Sequence, residues 1–194
     1  MYRFEFLEPG DDEPMDHLFE KTLHSETIYE GRIIDVRVED VQLPNGKQSK
    51  RELIDHPGAV AIIAQTPDDK ILAVRQYRKA LGKAIVEIPA GKLEQGEEPE
   101  LTAVRELEEE TGYTCEKLEK VISFYTSPGF ANELVHLYVA KGLTKKGEQS
   151  ADEDEFLDLL HLSIEEMEEM LDSQEIHDAK TAYAIMYLKM KLMK

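Results

Sequence analysis

The sequence predicts an α+β fold with a mixed β-sheet. Alternating apolar and polar residues, the pattern of strands, dominate residues 27 to 162, whereas helical spacing of apolar residues is confined to one central segment and the C-terminal end. Strands in the middle with helices flanking them are typical of this class. The length of 194 residues suits one domain with modest additions.

The N-terminal part of the chain divides into an irregular arm and a hairpin. Residues 1 to about 20 are acidic and interrupted by Pro9, Gly10 and Pro14, so we expect a tail or a wrapping arm there. From Thr27 the alternation predicts strands in TIYEGRIIDVRVEDVQL and SKRELIDH, joined by the turn PNGK.

The middle of the chain is predicted to supply most of the sheet. The segments AVAIIAQT and ILAVRQYR, joined by the turn PDDK, are rich in aliphatic and β-branched residues, as buried strands are. Further strands are predicted in IVEIPAG, KVISFYTSPG, ELVHLYVAKGL and EFLDLLHL. Two helices are predicted after these strands, first in SIEEMEEML and then in DAKTAYAIMYLKMKL. Ser163 and Glu166 have the spacing of a capping box at the start of the first helix.

Charge and composition exclude several classes of partner. The formal net charge of −18 would repel a nucleic-acid backbone or an anionic membrane surface. Cys115 is the only cysteine, which excludes an intramolecular disulfide and fits a reducing compartment. The sequence shows no signal-peptide pattern and no apolar run of membrane-spanning length, so we expect a cytoplasmic protein.

A central helix is predicted within AGKLEQGEEPELTAVRELEEETGY. Pro99 suits a first helical turn and Gly112 a left-handed end, so the helix should cover about residues 100 to 111. In the preceding loop, Gly91 allows a close approach of the backbone to a ligand and Gly96 allows a sharp turn. The stripe expected to be buried consists of Leu101, Val104 and Leu107.

Three acids of this helix share one face. Glu106, Glu109 and Glu110 stand at i, i+3 and i+4, where like charges repel each other. Arg105 can pair with Glu109 but cannot neutralise all three carboxylates. A hard divalent cation such as Mg²⁺ supplies the missing charge, because it takes carboxylate, phosphate and water ligands. The alternative is a solvated acidic face, since EEMEEML and ADEDEF are equally acidic.

The order of residue types in this segment resembles the Nudix box, GX5EX7REUXEEXGU. Gly91, Glu97 and the run from 105 to 112 match every fixed position of the box. Tyr113 stands where the family usually has a bulky aliphatic residue, which affects the packing of the helix end and leaves the metal site unchanged.

This resemblance implies a fold, an activity and a set of ligands. Residues 57–194 would form a Nudix-type α/β/α sandwich, and residues 1–56 an acidic arm with antiparallel strands that dimerises. The family hydrolyses nucleoside diphosphates linked to another moiety, with Mg²⁺ or Mn²⁺ held by the box. The implied metal ligands are the backbone carbonyl of Ala90 and the carboxylates of Glu106, Glu109 and Glu110. Glu97 and Arg105 are implied to shape and orient the catalytic loop and helix.

Residues outside the box resemble the bacterial ADP-ribose pyrophosphatase branch of the family. Pro128 lies in the segment TSPGF, sixteen residues after Gly112, where that branch has a marker proline. The alternative is that this proline only forms a turn between two strands. The segments SETIYEGRIIDVR, RELIDHPGAVAII and VRQYRKALGKAIVEIPAGKLEQGE are similar to the same branch. The implied reaction is hydrolysis of ADP-ribose to AMP and ribose 5-phosphate.

The same branch implies further residues at the substrate. Arg51 and Arg78 match arginines that contact phosphate or ribose, with surface ion pairs as the alternative. Tyr29 matches an aromatic region that helps to clamp adenine, often from the partner subunit, with ordinary packing as the alternative. Glu133 in SPGFANE matches an acidic residue near the ribose.

The branch takes its general base from an acidic loop after the box. Here that loop is GEQSADEDEFLDL, which leaves Asp152, Glu153 and Asp154 as candidates. Glu153 is preferred because the family more often has glutamate. Such a base reaches the attacking water after the loop closes.

The resemblance also implies a homodimer whose N-terminal strands cross to the other subunit. The rival functions are hydrolysis of GDP-mannose or a dinucleoside polyphosphate, non-catalytic binding of ADP-ribose as a sensor, and docking of a basic protein on the acidic helix. The complete set of box acids argues against a sensor. Docking leaves the placement of Gly91, Glu97 and Arg105 unexplained.

Overall fold

The protein is described by a computed structural model that covers residues 17–94, 96–150 and 156–193. The chain divides into two compact units. The first contains the described residues up to Pro57 together with residues 125–133, and the second contains the others. No helix in this described part of the chain is long and apolar enough to cross a membrane.

Antiparallel strands form the sheet of the first unit, in the order β1-β2-β3: β1 (Lys21–Glu30), β2 (Asp35–Gln42) and β3 (Gln48–Asp55). The run predicted as one strand from Thr27 is therefore two strands, and the first begins earlier. Gly31 donates its N–H to the carbonyl of Ile34 at 3.1 Å, and this bond closes the turn between β1 and β2. The predicted PNGK turn is confirmed, because Gly46 has a φ of +81° and donates to the carbonyl of Leu43 at 2.8 Å.

Residues 125–133 attach to the end of β3. The N–H of Ile54 donates to the carbonyl of Phe130 at 2.8 Å, and the N–H of Asn132 donates to the carbonyl of Ile54 at 3.2 Å. The side-chain amide of Asn132 also donates to Asp55 at 2.9 Å. These bonds explain why a segment distant in sequence belongs to the first unit.

The remaining strands are β4 (Ala59–Ala64), β5 (Ile71–Arg78), β6 (Lys83–Glu87), β7 (Ala90–Lys92), β8 (Tyr113–Thr114), β9 (Lys117–Tyr125), β10 (Leu134–Lys141), β11 (Thr144–Lys145) and β12 (Leu157–Leu162). They form a sheet of order β7-β4-β10-β9, a sheet of order β12-β5-β6 and a short pair β11-β8. Strand β4 runs parallel to β10 and antiparallel to β7, so the predicted mixed sheet is confirmed.

Helices cover the two sides of β4. The helices are α1 (Pro99–Thr111), α2 (Ile164–Asp172) and α3 (Ala179–Leu192). Ile62 packs in one buried cluster with Leu107 of α1, whereas Ile63 packs in another with Met167 of α2 and Ile185 of α3. Successive residues of a strand point to opposite faces, so β4 is buried between helix layers and the sandwich is confirmed. Each such side chain contributes about 1.5–3 kcal/mol by its burial.

Helix α1 begins and ends as its sequence predicts. Pro99 occupies the first turn, and Gly112 adopts a φ of +73° while its N–H donates to the carbonyl of Glu108 at 2.8 Å. The predicted burial of Leu101 is wrong, since Leu101 is 64% exposed. The helix packs through the side that carries Ala103 and Leu107, and at about 100° per residue Leu101 lies on the other side.

The C-terminal helices are capped by side chains. The predicted capping box is confirmed, because the N–H of Ser163 donates to Glu166 at 2.6 Å and the N–H of Glu166 donates to Oγ of Ser163 at 3.2 Å. Asp178 caps α3 by accepting the N–H of Thr181 at 3.2 Å. These caps hold the beginnings of both helices.

Candidate active site

Strand β7 and helix α1 meet at Gly91 and Glu106. A β-carbon at position 91 would lie 1.8 Å from Cδ of Glu106, so the carboxylate of Glu106 fills the space that a side chain would need. The nearest group to Gly91 is thus the carboxylate of a predicted metal ligand. Glycine is required here because any other residue would displace that carboxylate.

Glu110, one turn further along α1, is buried although it is an acid. It is 2% exposed, and its Oε2 accepts the backbone N–H of Ala90 at 3.0 Å. Burial of a carboxylate is tolerated when it accepts hydrogen bonds. This bond brings Ala90 and Glu110, both predicted as metal ligands, into contact.

Arg105 binds the other acids of the site. Its Nη1 donates to Glu106 at 2.9 Å and to Glu109 at 2.8 Å. Its Nε and Nη2 donate to the two carboxylate oxygens of Glu97 at 3.2 and 3.1 Å. The hydrogen bond to Glu97 is the main cause that raises the pKa of Arg105 and lowers the pKa of Glu97. The arginine therefore relieves repulsion on α1 and ties the preceding loop to the helix.

The donor chemistry of this group fits a divalent cation. Glu106, Glu109 and Glu110 offer carboxylate oxygens and Ala90 offers a carbonyl, which are the ligands that Mg²⁺ and Mn²⁺ prefer. Among the residues that the structure describes, no three acidic, histidine or cysteine side chains form a ready-made metal cluster. Arg105 binds two of the carboxylates and the Ala90 N–H binds the third.

At the end of β5, Arg78 is held by an acid that the sequence analysis did not identify. Nε and Nη2 of Arg78 donate to the two carboxylate oxygens of Glu87 at 2.7 and 3.1 Å. The Glu87 side chain is 3% exposed and also pairs with Lys180 of α3. In the sequence, Glu87 could have been recognised as the lone acid within the apolar segment IVEIPAG. No feature of the sequence indicated that Lys180 would pair with it.

The charges around Arg78 include an acid of α1. Burial lowers the pKa of Arg78, but the hydrogen bond with Glu87 and the charges of Glu87, Glu110 and Asp178 raise it overall. Burial raises the pKa of Glu87, but Lys180 and Arg78 outweigh it and hold that pKa below its ordinary value. Both members of the pair are therefore charged at neutral pH, and Arg78 lies within electrostatic reach of Glu110.

Two predicted substrate-binding residues lie on strands of the first unit. Tyr29 is 57% exposed on β1. Arg51 on β3 donates Nε and Nη2 to Glu20 at 2.8 and 2.6 Å, so the ion pair considered as an alternative is present. Nη1 of Arg51 also donates to Oγ of Ser49 at 3.1 Å and to the carbonyl of Lys50 at 3.0 Å, so each nitrogen of this guanidinium has a partner within the first unit.

Pro128 and Glu133, also predicted to bind the substrate, lie in residues 125–133 of the same unit. Pro128 is in a turn closed by N–H groups that donate to the carbonyl of Ser127, at 2.9 Å for the shorter bond. Glu133 accepts a hydrogen bond from Thr126 at 2.5 Å and lies 3.7 Å from Nε2 of His56. The turn considered as an alternative at Pro128 is therefore present, and Glu133 is partly engaged.

The candidate bases Asp152, Glu153 and Asp154 lie outside the described residues. The segment that precedes them is bound to the C-terminal end of α1. The N–H of Ser150 donates to the carbonyl of Glu109 at 2.9 Å, and the side-chain amide of Gln149 donates to the carbonyl of Glu110 at 2.6 Å. Gln149 and Ser150 therefore lie at the C-terminal end of α1.

A cavity of about 570 Å³ lies in the second unit. Its lining comprises Arg75, Gln76, Tyr77, Ala84, Gln149, Phe156, Leu157 and Asp158. A volume of this size is common for sites that bind small molecules. Because Gln149 also bonds to α1, the cavity adjoins the end of the acidic helix.

Two family models match the chain. Residues 55–184 match the model of the NUDIX domain, and residues 20–54 match the nucleoside diphosphate sugar hydrolase N-terminal domain. The first match covers more than half of the sequence, including all the box residues.

Known proteins and a solved structure are similar over nearly the whole chain. The ADP-ribose pyrophosphatase of Bacillus subtilis (strain 168) is 57% identical over 178 residues, which is 91% of this chain and 96% of that protein. The methanol dehydrogenase activator of Bacillus methanolicus is 57% identical over 179 residues, or 91% and 97%. A structure titled "Crystal structure of ADP compounds hydrolase" superposes with a TM-score of 0.78 at 22% identity, covering 90% of this chain and 94% of that one. This last likeness confirms the predicted sandwich fold.

Proposed function

Because the chain belongs to the NUDIX family, we propose that it hydrolyses the pyrophosphate bond of ADP-ribose and releases AMP and ribose 5-phosphate. The family match and the high identity to a protein called ADP-ribose pyrophosphatase make the chain a hydrolase of nucleoside diphosphate sugars. ADP-ribose is the substrate that this similarity favours.

The observation that carries the proposal is the contact of Glu106 with Gly91. It brings the acidic face of α1 against the strand that carries Ala90, and Glu110 bonds to the N–H of that residue. An acidic surface built so closely onto backbone suits a bound cation and a phosphate better than it suits solvent. The solvated-face alternative does not account for the burial of Glu110.

The metal is proposed to be Mg²⁺, with Mn²⁺ as an accepted substitute. Glu106, Glu109, Glu110 and the carbonyl of Ala90 would hold it. When bound, the cation neutralises the diphosphate and polarises the phosphorus that is attacked. Glu97 and Arg105 keep the loop and the helix in register, since Arg105 bonds to Glu97 on the loop.

The residues proposed to bind the substrate are Tyr29, Arg51, Arg78, Pro128 and Glu133. Arg78 and Arg51 would contact the phosphates or the terminal ribose, because a guanidinium matches phosphate geometry. Tyr29 would stack on adenine, which its exposure on β1 permits. Glu133 would contact a ribose hydroxyl, and Pro128 would hold the turn that precedes it.

The general base is proposed to be Glu153, with Asp152 and Asp154 as alternatives. Its carboxylate would take a proton from a water molecule. The resulting hydroxide would attack one phosphorus in line with the leaving phosphate. In support, Ser150 and Gln149, which precede the candidate bases in sequence, bond to the backbone carbonyls of Glu109 and Glu110 on α1.

We further propose a cytoplasmic homodimer without nucleic-acid or membrane partners. Residues 1–56 would supply the acidic arm and the strands that dimerise, and residues 57–194 the hydrolase domain. Exposed apolar side chains on or next to β1 support this proposal: Leu18, Leu23, Ile28, Tyr29 and Ile33. A strand with so many exposed apolar groups is typical of an interaction surface.

A second candidate function is activation of a dehydrogenase. The observation that favours it is the identity of 57% to the methanol dehydrogenase activator, equal to the identity to the ADP-ribose pyrophosphatase. The test is the rate of a methanol dehydrogenase with the wild-type protein and with its Glu110→Gln variant. Activation by both proteins would indicate an effect that does not require hydrolysis.

The primary test is a product-mass assay with ADP-ribose, GDP-mannose and a dinucleoside polyphosphate, each with Mg²⁺ and with excess chelator. We expect AMP and ribose 5-phosphate from ADP-ribose, at the highest kcat/KM of the panel, and no turnover with chelator. Faster cleavage of another substrate would reassign the specificity. Tight binding of ADP-ribose without turnover would indicate a sensor.

A further inference from the structure

Four charged side chains form a series of ion pairs between β5 and the start of α3. Arg78 pairs with Glu87, Glu87 pairs with Lys180, and Lys180 pairs with Asp178 at 3.1 Å. The side-chain exposure is 3% for Glu87, 15% for Lys180, 17% for Asp178 and 40% for Arg78. The arginine is thus the member of the series that reaches solvent.

Asp178, at the end of this series of ion pairs opposite Arg78, is held by hydrogen bonds from Thr181. The carboxylate of Asp178 accepts the N–H of Thr181 at 3.2 Å and its hydroxyl at 2.8 Å. The hydroxyl of Thr181, which is fully buried, in turn accepts the N–H of Ile88 at 3.0 Å. Because Ile88 follows Glu87 directly, the start of α3 and the end of β6 hold each other in place.

Glu87 uses only part of the donor capacity of Arg78. A guanidinium carries five N–H donors in one plane. Nε and Nη2 bond to Glu87, whereas within the described ranges Nη1 makes no hydrogen bond to the protein. The bidentate pair fixes the plane of the guanidinium, so its remaining donors point in a set direction. Phosphate oxygens bind such a fixed edge well.

A purely structural ion pair is the competing explanation. Buried pairs contribute little net stability, because desolvation offsets their attraction. Glu87 is buried and pairs with an arginine whose Nη1 donors are not used by the described residues. Orientation of that arginine explains this arrangement better than a gain in stability does. We propose that Glu87 and Lys180 are positioning residues that aim Arg78 at an anionic group of the substrate. The inference rests on the proposed function, in which Arg78 binds the substrate.

The first experiment is a double-mutant cycle with Glu87→Gln, Arg78→Met and the double variant, assayed with ADP-ribose and Mg²⁺. If Glu87 acts through Arg78, Glu87→Gln raises KM about tenfold, a typical effect of losing a residue that orients a ligand group. The same change then has no further effect on KM in the Arg78→Met background. Equal effects of Glu87→Gln in both backgrounds would overturn the inference.

A second series uses Lys180, which does not contact Arg78 directly. Lys180→Met should raise KM several-fold, and Lys180→Arg should keep KM near the wild-type value, because a cation again neutralises Glu87. The matched control is Glu119→Gln, which breaks ion pairs with Lys117 and Lys141 on the surface and should leave KM unchanged. Similar KM values for the two Lys180 variants would contradict the proposed role of charge.

The outcomes separate this inference from the proposed function. Absence of ADP-ribose hydrolysis by the wild-type protein would refute the proposed function. Wild-type turnover with an unchanged KM in Arg78→Met would refute the role of Arg78 and with it this inference, whereas the proposed hydrolysis of ADP-ribose would stand. Circular dichroism checks the fold of each variant. If Glu87→Gln does not fold, the Lys180 series decides, and unfolding of both Glu87→Gln and Lys180→Met would identify a structural network and overturn the inference.

Discussion

The carboxylate of Glu106 occupies the position that the side chain of residue 91 would take, since a β-carbon on Gly91 would lie 1.8 Å from Cδ of Glu106. A glycine on β7 therefore determines where an acid of α1 can lie. The contact joins the first and the sixteenth positions of the box motif in space. It explains in steric terms why a motif built around acids begins with a glycine.

We predict that Gly91→Ala impairs catalysis more than folding. The added methyl group displaces only the flexible end of Glu106, so the melting temperature should fall by a few degrees, as for a loss of about 1 kcal/mol. The displaced carboxylate no longer binds the metal, and kcat/KM should fall at least about 100-fold, which corresponds to about 2.7 kcal/mol. Thermal melts and steady-state kinetics measure the two effects. Full activity in Gly91→Ala would contradict the steric role.

We predict that Glu110→Gln preserves the fold and abolishes most turnover. The amide oxygen of glutamine can still accept the Ala90 N–H, but a neutral side chain is a poor ligand for a hard cation. Calorimetry with Mn²⁺ should show weaker binding, and kcat should fall at least about 100-fold. Glu100→Gln on the exposed side of α1 is the matched control and should behave as wild type. Unchanged Mn²⁺ binding in Glu110→Gln would refute its role as a ligand.

The acidic loop gives a prediction about kcat. Asp152→Asn, Glu153→Gln and Asp154→Asn each remove one candidate base by a nearly isosteric change. Loss of the general base should lower kcat by about 10²–10⁴-fold and leave Mn²⁺ binding unchanged. We expect this result for Glu153→Gln only, measured in parallel by steady-state kinetics. A comparable loss in another of the three variants would move the assignment to that residue.

The exposed apolar residues of β1 predict the oligomeric state. The wild-type protein should sediment as a dimer at micromolar concentration. Ile28→Glu places a charge on this strand and should raise the dissociation constant at least about tenfold, as substitution of an interface anchor does. Glu26→Gln on the same strand is the control. A wild-type protein that sediments only as a monomer would contradict the proposed assembly.

The buried pair at Glu87 predicts how stability changes with pH. The pKa of Glu87 is lowered in the folded protein from an ordinary value of 4.5. Its contribution to the free energy of unfolding is therefore complete above that value and is lost as the pH falls through the lowered pKa. We expect Glu87→Gln to be less stable than wild type by up to about 3 kcal/mol at pH 7, with a gap that narrows below pH 4.5. Urea unfolding at several pH values measures the gap, and a gap independent of pH would show that charge is not its origin.

Local features of the fold could be predicted from the sequence because they depend on neighbours within one turn. Pro99 and Gly112 mark the ends of α1, and Ser163 with Glu166 caps α2, as expected. The pairing of Arg105 with Glu109 was likewise predicted from their spacing, and the structure confirms it at 2.8 Å. Each of these features depends on backbone preference or on helical spacing alone.

Other features depended on which surfaces meet. The exposure of Leu101 was not predicted because apolar spacing does not indicate which side of α1 packs against β4. Tyr29 and Arg51 could be assigned to strands, but the sequence did not reveal that Arg51 pairs with Glu20. The break at Gly31 was also missed, since alternation continues on both sides of the turn.

The sequence by itself determined the family, the fold class and the acids that share one face of α1, because these follow from the order and spacing of residues along the chain. Only the tertiary structure decided that Glu106 fills the space at Gly91 and that Lys180 neutralises Glu87 beneath Arg78. Those contacts join distant parts of the chain. They arise when sheet and helices pack, where exclusion of water makes the size and charge of each neighbour decisive.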